Sequence, residues 1–73
     1  MSTTTQVSIE VADEAVKDMM IAELSDLGFV GFEETETGLF SYIDSVKFDT
    51  EVTAGLADLA AQHGATYSSK AID

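Results

Sequence analysis

One stretch, Leu24 to Ile43, constrains the fold more than any other part of this 73-residue chain. It reads LSDLGFVGFEETETGLFSYI. An apolar helical stripe stops at Gly28, and a glycine directly after the last apolar position is typical of a helix C-terminus. Two short apolar segments follow, separated by polar residues that include Thr37 and Gly38, which indicates a β-hairpin. A helix that leads directly into a hairpin divides the chain into two similar halves.

The first half is predicted to contain one strand and one helix. Residues 6–11 alternate apolar and polar side chains, which predicts a strand with one buried face. The polar residues 1–5 are expected to form a frayed start. Asp13 is a good helix N-cap, and apolar residues then recur at helical spacing as far as Leu27.

The pairing within the hairpin depends on the length of its loop. A two-residue turn at Thr37 and Gly38 would place Phe32 opposite Ile43. A three-residue loop would shift the pairing by one residue and exchange the partners on the returning strand. We prefer the two-residue turn because it gathers the aliphatic side chains beneath the helices. In this register one face carries Val30, Phe32, Leu39 and Ile43, and the other carries Gly31, Glu33, Phe40 and Tyr42.

The second half is predicted to contain a helix, capped by Asp49 or Thr50 and stopped by Gly64, and a final strand. Residues 65–72 alternate weakly and include Lys70, which suits an edge strand. The order βαββαβ predicts an α+β, ferredoxin-like fold of the split βαβ type. Right-handed crossovers would place both helices on one face of a four-stranded antiparallel sheet, in strand order 4-1-3-2.

Composition limits the partners of the single domain that a chain of residues 1–73 can form. Fourteen acidic residues face three lysines and no arginine, which gives a net charge of −11. Nucleic-acid binding depends on Lys and Arg, so we expect no nucleic-acid partner. An acidic surface favours a basic protein partner; the alternative is that the acids only raise solubility. The sequence has no cysteine and no apolar run of the ~20 residues that a membrane span needs. We expect a cytoplasmic protein without a membrane partner.

The candidate binding residues lie on the hairpin. Phe40 and Tyr42 would point together from the sheet face that no helix covers. Aromatic residues in such a position stack on bases in RNA-recognition sheets, but that function needs basic neighbours, which the sequence lacks. Packing against another protein surface is therefore favoured. Glu33, Glu34 and Glu36 make the hairpin acidic, and the absence of a calcium-loop pattern around them predicts no metal site.

No catalytic or cofactor-binding residue is predicted in this chain. His63 is the only histidine, and the sequence supplies no partner that would make it a general base. Neither a glycine-rich phosphate-binding loop nor a nucleophile elbow is present.

The hairpin segment also resembles a known family. The resemblance is carried by Leu27-Gly28-Phe29, Gly31-Phe32-Glu33-Glu34, Gly38-Leu39 and Tyr42-Ile43. With VSIEV before them and an acid-capped helix after them, these residues resemble the N-terminal domain of PrmA, a family of bacterial methyltransferases that modify large-subunit ribosomal protein eleven. The resemblance covers most of this chain but only a fraction of such an enzyme.

The resemblance implies a substrate-recognition domain of ferredoxin-like fold that binds the basic ribosomal protein. A linker would join it to a Rossmann-type domain that binds S-adenosylmethionine and methylates amino groups. That catalytic domain is missing here, so the resemblance implies a fragment and assigns no catalytic or cofactor residue to this chain. The residues alone leave an alternative open, a stand-alone ferredoxin-like regulatory or dimerisation domain.

Overall fold

A computed structural model describes residues 3–72 of the chain, which form four strands and two α-helices. The elements are β1 (Thr4–Glu10), α1 (Glu14–Leu27), β2 (Gly31–Glu34), β3 (Gly38–Asp44), α2 (Thr50–His63) and β4 (Thr66–Ile72), with a single 3-10 turn at Ser45–Lys47. The strands form one antiparallel sheet in the order β2-β3-β1-β4. This confirms the predicted α+β ferredoxin-like fold and its strand order. Neither helix within residues 3–72 has the length and apolarity that would let it cross a bilayer.

The hydrophobic core lies between one face of the sheet and the two helices. Alternate residues of the central strands β1 and β3 point toward the helices, as the two-residue period of a strand requires. The buried cluster consists of Val7, Ile9, Met20, Leu24, Phe29, Leu39, Ile43, Leu56 and Leu59. Within residues 3–72 no helix lies over the opposite face of the sheet, here called the open face.

The helices begin and end where the local sequence predicts. Asp13 and Asp49 are the N-caps: the carboxylate of Asp13 accepts hydrogen bonds from the amides of Ala15 and Val16, and that of Asp49 accepts one from the amide of Val52. Gly28 takes the left-handed conformation, with φ 109°. The amide of Phe29 donates to the carbonyl of Leu24 at 3.1 Å, as in a Schellman motif. This helix end turns Phe29 into the core and fixes the direction in which the chain enters the hairpin.

The hairpin pairs two residues away from the preferred register. Phe32 lies opposite Ser41, whereas Ile43 was predicted as its partner. The amide of Thr35 donates to the carbonyl of Gly38 at 2.8 Å, so the turn lies one residue earlier than predicted. A shift of two residues preserves the alternation of a strand. The predicted placement of Gly31, Glu33, Phe40 and Tyr42 on one face is therefore confirmed.

The reason for the shift is that Gly38 belongs to the ladder between β3 and β1. It lies opposite Glu10, and its backbone is not left-handed. A Cβ atom at Gly38 would overlap the carbonyl oxygen of Ile9. The close approach of β1 therefore requires a glycine at this position, and the hairpin turn does not.

The first strand starts earlier than predicted. Thr4 and Thr5 lie opposite Asp44 and Ile43 in the ladder with β3, so the expectation of a frayed start is wrong for these two residues. Residues 1 and 2, which the same expectation covered, lie outside the described part of the chain.

Val30 was predicted to lie beneath the helices, but its side chain is 80% exposed, so this prediction is wrong. Phe29 occupies the core at this point, with 2% exposure, and β2 begins only at Gly31. The helix end therefore places one aromatic residue inside and leaves the following valine outside.

Candidate protein-binding surface

Two aromatic side chains lie near the centre of the open face. Phe40 and Tyr42 project from β3, and both are partly exposed. The hydroxyl of Tyr42 accepts a hydrogen bond from Nε2 of Gln6 on β1 at 3.0 Å. On the other side, a Cβ at Gly31 of β2 would lie 3.3 Å from Cδ2 of Tyr42, so the ring lies against the bare glycine. Neighbours on both sides therefore hold the tyrosine ring in place.

The three predicted glutamates do not share one surface. Glu33 lies on the open face directly opposite Phe40. Glu34 is the next residue of β2, so it points to the helix side of the sheet. Glu36 lies in the hairpin loop, and all three side chains are exposed. The structure thus groups Glu33 with the aromatic pair and separates the other two from it.

A groove between the hairpin loop and the first turns of α1 receives Glu34 and Glu36. It has a volume of about 670 Å³. Its remaining lining residues are Ala12, Glu14, Lys17 and Thr35. The side chain of Lys17 is only 4% exposed, and its Nζ donates to the carbonyl of Thr35 at 2.7 Å. A buried ammonium group therefore anchors the loop beside three carboxylates.

Sequence reasoning missed the role of Lys17. The residue lies three positions before Met20 and seven before Leu24, and all three side chains are buried. The sequence does contain a signal, because a lysine occupies a helix position that lies in line with apolar residues. Long lysine stems cover apolar surface while the ammonium group reaches a polar partner, and here that partner is a backbone carbonyl.

A second groove continues the acidic surface around this end of the molecule. Glu10, Asp13 and His63 are among its lining residues. The amide of Val11 donates to the carbonyl of Thr37 at 3.1 Å, which holds the end of β1 against the hairpin loop. Carboxylates from separate segments of the chain therefore meet at one end of the fold. We call the carboxylates that line the two grooves the acidic rim: Glu10, Asp13, Glu14, Glu34 and Glu36.

His63 ends α2 beside this second groove. Its Nε2 lies 3.5 Å from Oε1 of Glu23 on α1, an ion-pair distance at which it makes no hydrogen bond. The two side chains join the helices at the surface of the helix layer. Among residues 3–72, no group of three or more His, Asp or Glu side chains is arranged to hold a metal ion.

Comparison with known proteins gives no further identification. No family model matches the chain, and no curated protein matches it significantly. The function must therefore be argued from the open face and the acidic rim.

Proposed function

We propose that this domain is the substrate-recognition module of an S-adenosylmethionine-dependent methyltransferase and that it binds a basic ribosomal protein of the large subunit. The observation that supports the proposal best is the position of Glu33 beside Phe40 and Tyr42. These three side chains form an acidic and aromatic patch on the open face.

Such a patch suits a lysine or arginine side chain of a partner. A cation above an aromatic ring is attracted by the negative face of the ring, by about 0.5–2 kcal/mol. The carboxylate of Glu33, on the strand next to Phe40, would add a charged acceptor for the same cation. The hydrogen bond from Gln6 holds Tyr42 before a partner arrives, which lowers the entropic cost of binding.

The acidic rim supports the proposal over a longer range. Five carboxylates line the two grooves at the hairpin end of the fold, and the whole chain has a net charge of −11. Complementary fields of this kind raise the rate at which oppositely charged proteins meet. In the proposed enzyme a separate domain would bind S-adenosylmethionine and supply the methyl group, while this domain would hold the client. Because ribosomal proteins are made in the cytoplasm, the proposal assigns the domain to that compartment.

The proposal is tested by titrating this domain with purified large-subunit ribosomal protein eleven in a calorimeter. The test variant carries Glu33→Gln, Glu34→Gln and Glu36→Gln. The matched control carries Asp26→Asn, Glu51→Gln and Asp58→Asn, three exposed acids on the helices, and changes the net charge equally. We expect the hairpin variant to bind at least about tenfold more weakly and the control to lose about twofold.

Salt and an aromatic substitution sharpen the test. Raising the salt from about 0.05 M to about 0.3 M should weaken binding by about tenfold, because the interacting charges become screened. Phe40→Ala should weaken it by a similar factor, since a truncated aromatic anchor typically costs more than 1 kcal/mol. Absence of binding at low salt, or equal losses in the two charge variants, would refute the proposal.

A further inference from the structure

The outer strand β4 differs from the other strands of the sheet. It pairs with β1 along seven residues, and no strand within residues 3–72 pairs with its other edge. Residues 66–71 are all exposed. Register places Tyr67, Ser69 and Ala71 on the helix-facing side, yet the helices do not cover them. An edge of this length with open backbone donors and acceptors is a template for another strand.

The charge of this edge indicates what kind of strand can approach it. No Asp or Glu occurs between Leu59 and Ile72, although the chain holds fourteen acids. The only charged side chain of β4 is that of Lys70. A basic partner would be drawn to the acidic rim instead. A second copy of this chain, which carries the same net charge of −11, meets the least repulsion at β4.

We propose that two copies of the chain associate by antiparallel pairing of their β4 strands about a two-fold axis at Ser69. In this register the seven residues overlap completely, and Tyr67 lies opposite Ala71 of the second copy. Opposite residues in an antiparallel pair share a face. Both helix layers therefore lie on the same side of one continuous sheet of eight strands, four from each copy.

The pairing covers groups that the single copy leaves exposed. Tyr67 is 38% exposed, and the small side chain of Ala71 gives its ring an apolar neighbour across the new ladder. Lys70 lies opposite Ser68, so the register places no like charges directly opposite each other. The acidic hairpin lies on β2, at the far edge of the sheet, and remains free in the dimer. The inference therefore does not rest on the proposed function.

Sedimentation of the full chain tests the inference. Between about 10 µM and about 1 mM the mass should rise from 7.8 kDa toward twice that value. The association should strengthen as salt rises toward about 1 M, because salt screens the repulsion between two acidic copies. Binding of a basic protein would weaken with salt, so the two associations are distinguished by the sign of their salt dependence.

Two substitutions at the axis make the test specific. Ser69→Glu brings two carboxylates together and should weaken the dimer at least tenfold, whereas Ala22→Glu, an equal charge change on the exposed side of α1, should weaken it less than threefold. Circular dichroism of both variants checks that they fold. Ser69→Cys should oxidise to a disulfide dimer at least ten times faster than Ala22→Cys, because opposed Cα atoms lie about 4.5–5.5 Å apart in a ladder. The natural chain has no cysteine, so the product is unambiguous.

The results of these experiments decide whether two copies pair through β4. A dimer that Ser69→Glu weakens selectively and that Ser69→Cys captures rapidly supports the inference. A chain that stays monomeric at the highest concentration and salt overturns it. So does a dimer that Ser69→Glu leaves intact, or a disulfide that forms equally fast at positions 69 and 22.

Discussion

The two edge strands of the sheet, β2 and β4, differ in length, in charge and in the buried contacts that anchor them. The strand at the hairpin edge, β2, has four residues, two of which are Glu33 and Glu34. Its hairpin is anchored by the buried Lys17 and by Gly38 against β1. The other edge, β4, has seven residues, carries no acid and is exposed on both faces. A short, charged edge resists pairing with further strands, whereas a long, neutral edge favours it.

This difference separates the part of the fold that supports the sheet from the part that is open to another chain. The buried Lys17 and the close approach at Gly38 lie on the hairpin side, where substitutions should cost the most. The β4 side contributes little to the core and is free to meet another chain. Four pairs of substitutions test this contrast.

The largest effect is expected at Gly38. Gly38→Ala should lower the free energy of unfolding by about 3 kcal/mol, because the added methyl group would overlap the backbone of Ile9 and force the two central strands apart. Ser69→Ala on β4 is the control and should change it by less than about 0.5 kcal/mol. Urea unfolding followed by circular dichroism measures both values. A loss below about 1 kcal/mol for Gly38→Ala would contradict the role assigned to this glycine.

The next largest loss of stability is expected at Lys17, which is compared with Lys70 on β4. Lys17→Met keeps the apolar stem but removes the donor to the carbonyl of Thr35, and should cost about 2 kcal/mol. Lys70→Met changes the net charge equally on an exposed strand and should cost less than about 0.5 kcal/mol. The same unfolding experiment compares them. Equal losses for the two variants would show that charge alone, and not the buried hydrogen bond, sets the effect.

A gain in stability is expected at Ser41. This side chain is fully buried beneath the helices, and its hydroxyl has no hydrogen-bond partner among residues 3–72. Ser41→Ala removes a desolvated polar group and should raise the free energy of unfolding by about 1 kcal/mol. The exposed Ser69→Ala serves again as the control. A loss of stability on Ser41→Ala, read from the midpoint of thermal unfolding, would mean that the hydroxyl does find a partner.

The smallest effect is expected at Ser68 on β4. Ser68→Thr should stabilise the fold by about 0.3 kcal/mol, since a β-branched residue suits an exposed strand position. The same change at the buried position, Ser41→Thr, should destabilise it by about 1 kcal/mol because an added methyl group in a packed core forces its neighbours to shift. Differential scanning calorimetry resolves the opposite shifts in melting temperature. Shifts of the same sign would remove the distinction between a packed strand and an uncovered one.

The sequence was sufficient for those parts of the fold that local chemistry determines. The cap at Asp13, the helix stop at Gly28 and the alternation in β1 each depend on neighbours within a few residues. The cap of α2 was predicted as Asp49 or Thr50, and it is Asp49. The strand order followed from the handedness of the crossovers. The hairpin register did not follow, because the constraint on Gly38 comes from Ile9, which is far away in the chain.

The candidate surface was predicted in part. Glu33, Phe40 and Tyr42 share a face because alternation along a strand survives a shift of two residues. Glu34 and Glu36 were placed in the same group because they are close in sequence, but the structure turns them toward α1. Lys17 was missed because the helical stripe was traced through apolar residues alone, and lysine is rarely buried. Its partner, the carbonyl of Thr35, carries no signal in the sequence.

The contact between Gly38 and Ile9 also has a consequence for how the chain finds its fold. In the native ladder the one residue without a Cβ stands where the carbonyl of Ile9 projects. Sliding β3 along β1 by one step would bring Thr37 or Leu39 to that point, and their side chains would collide with the backbone. The absence of a side chain at position 38 therefore disfavours a shift of one residue between the two middle strands in either direction.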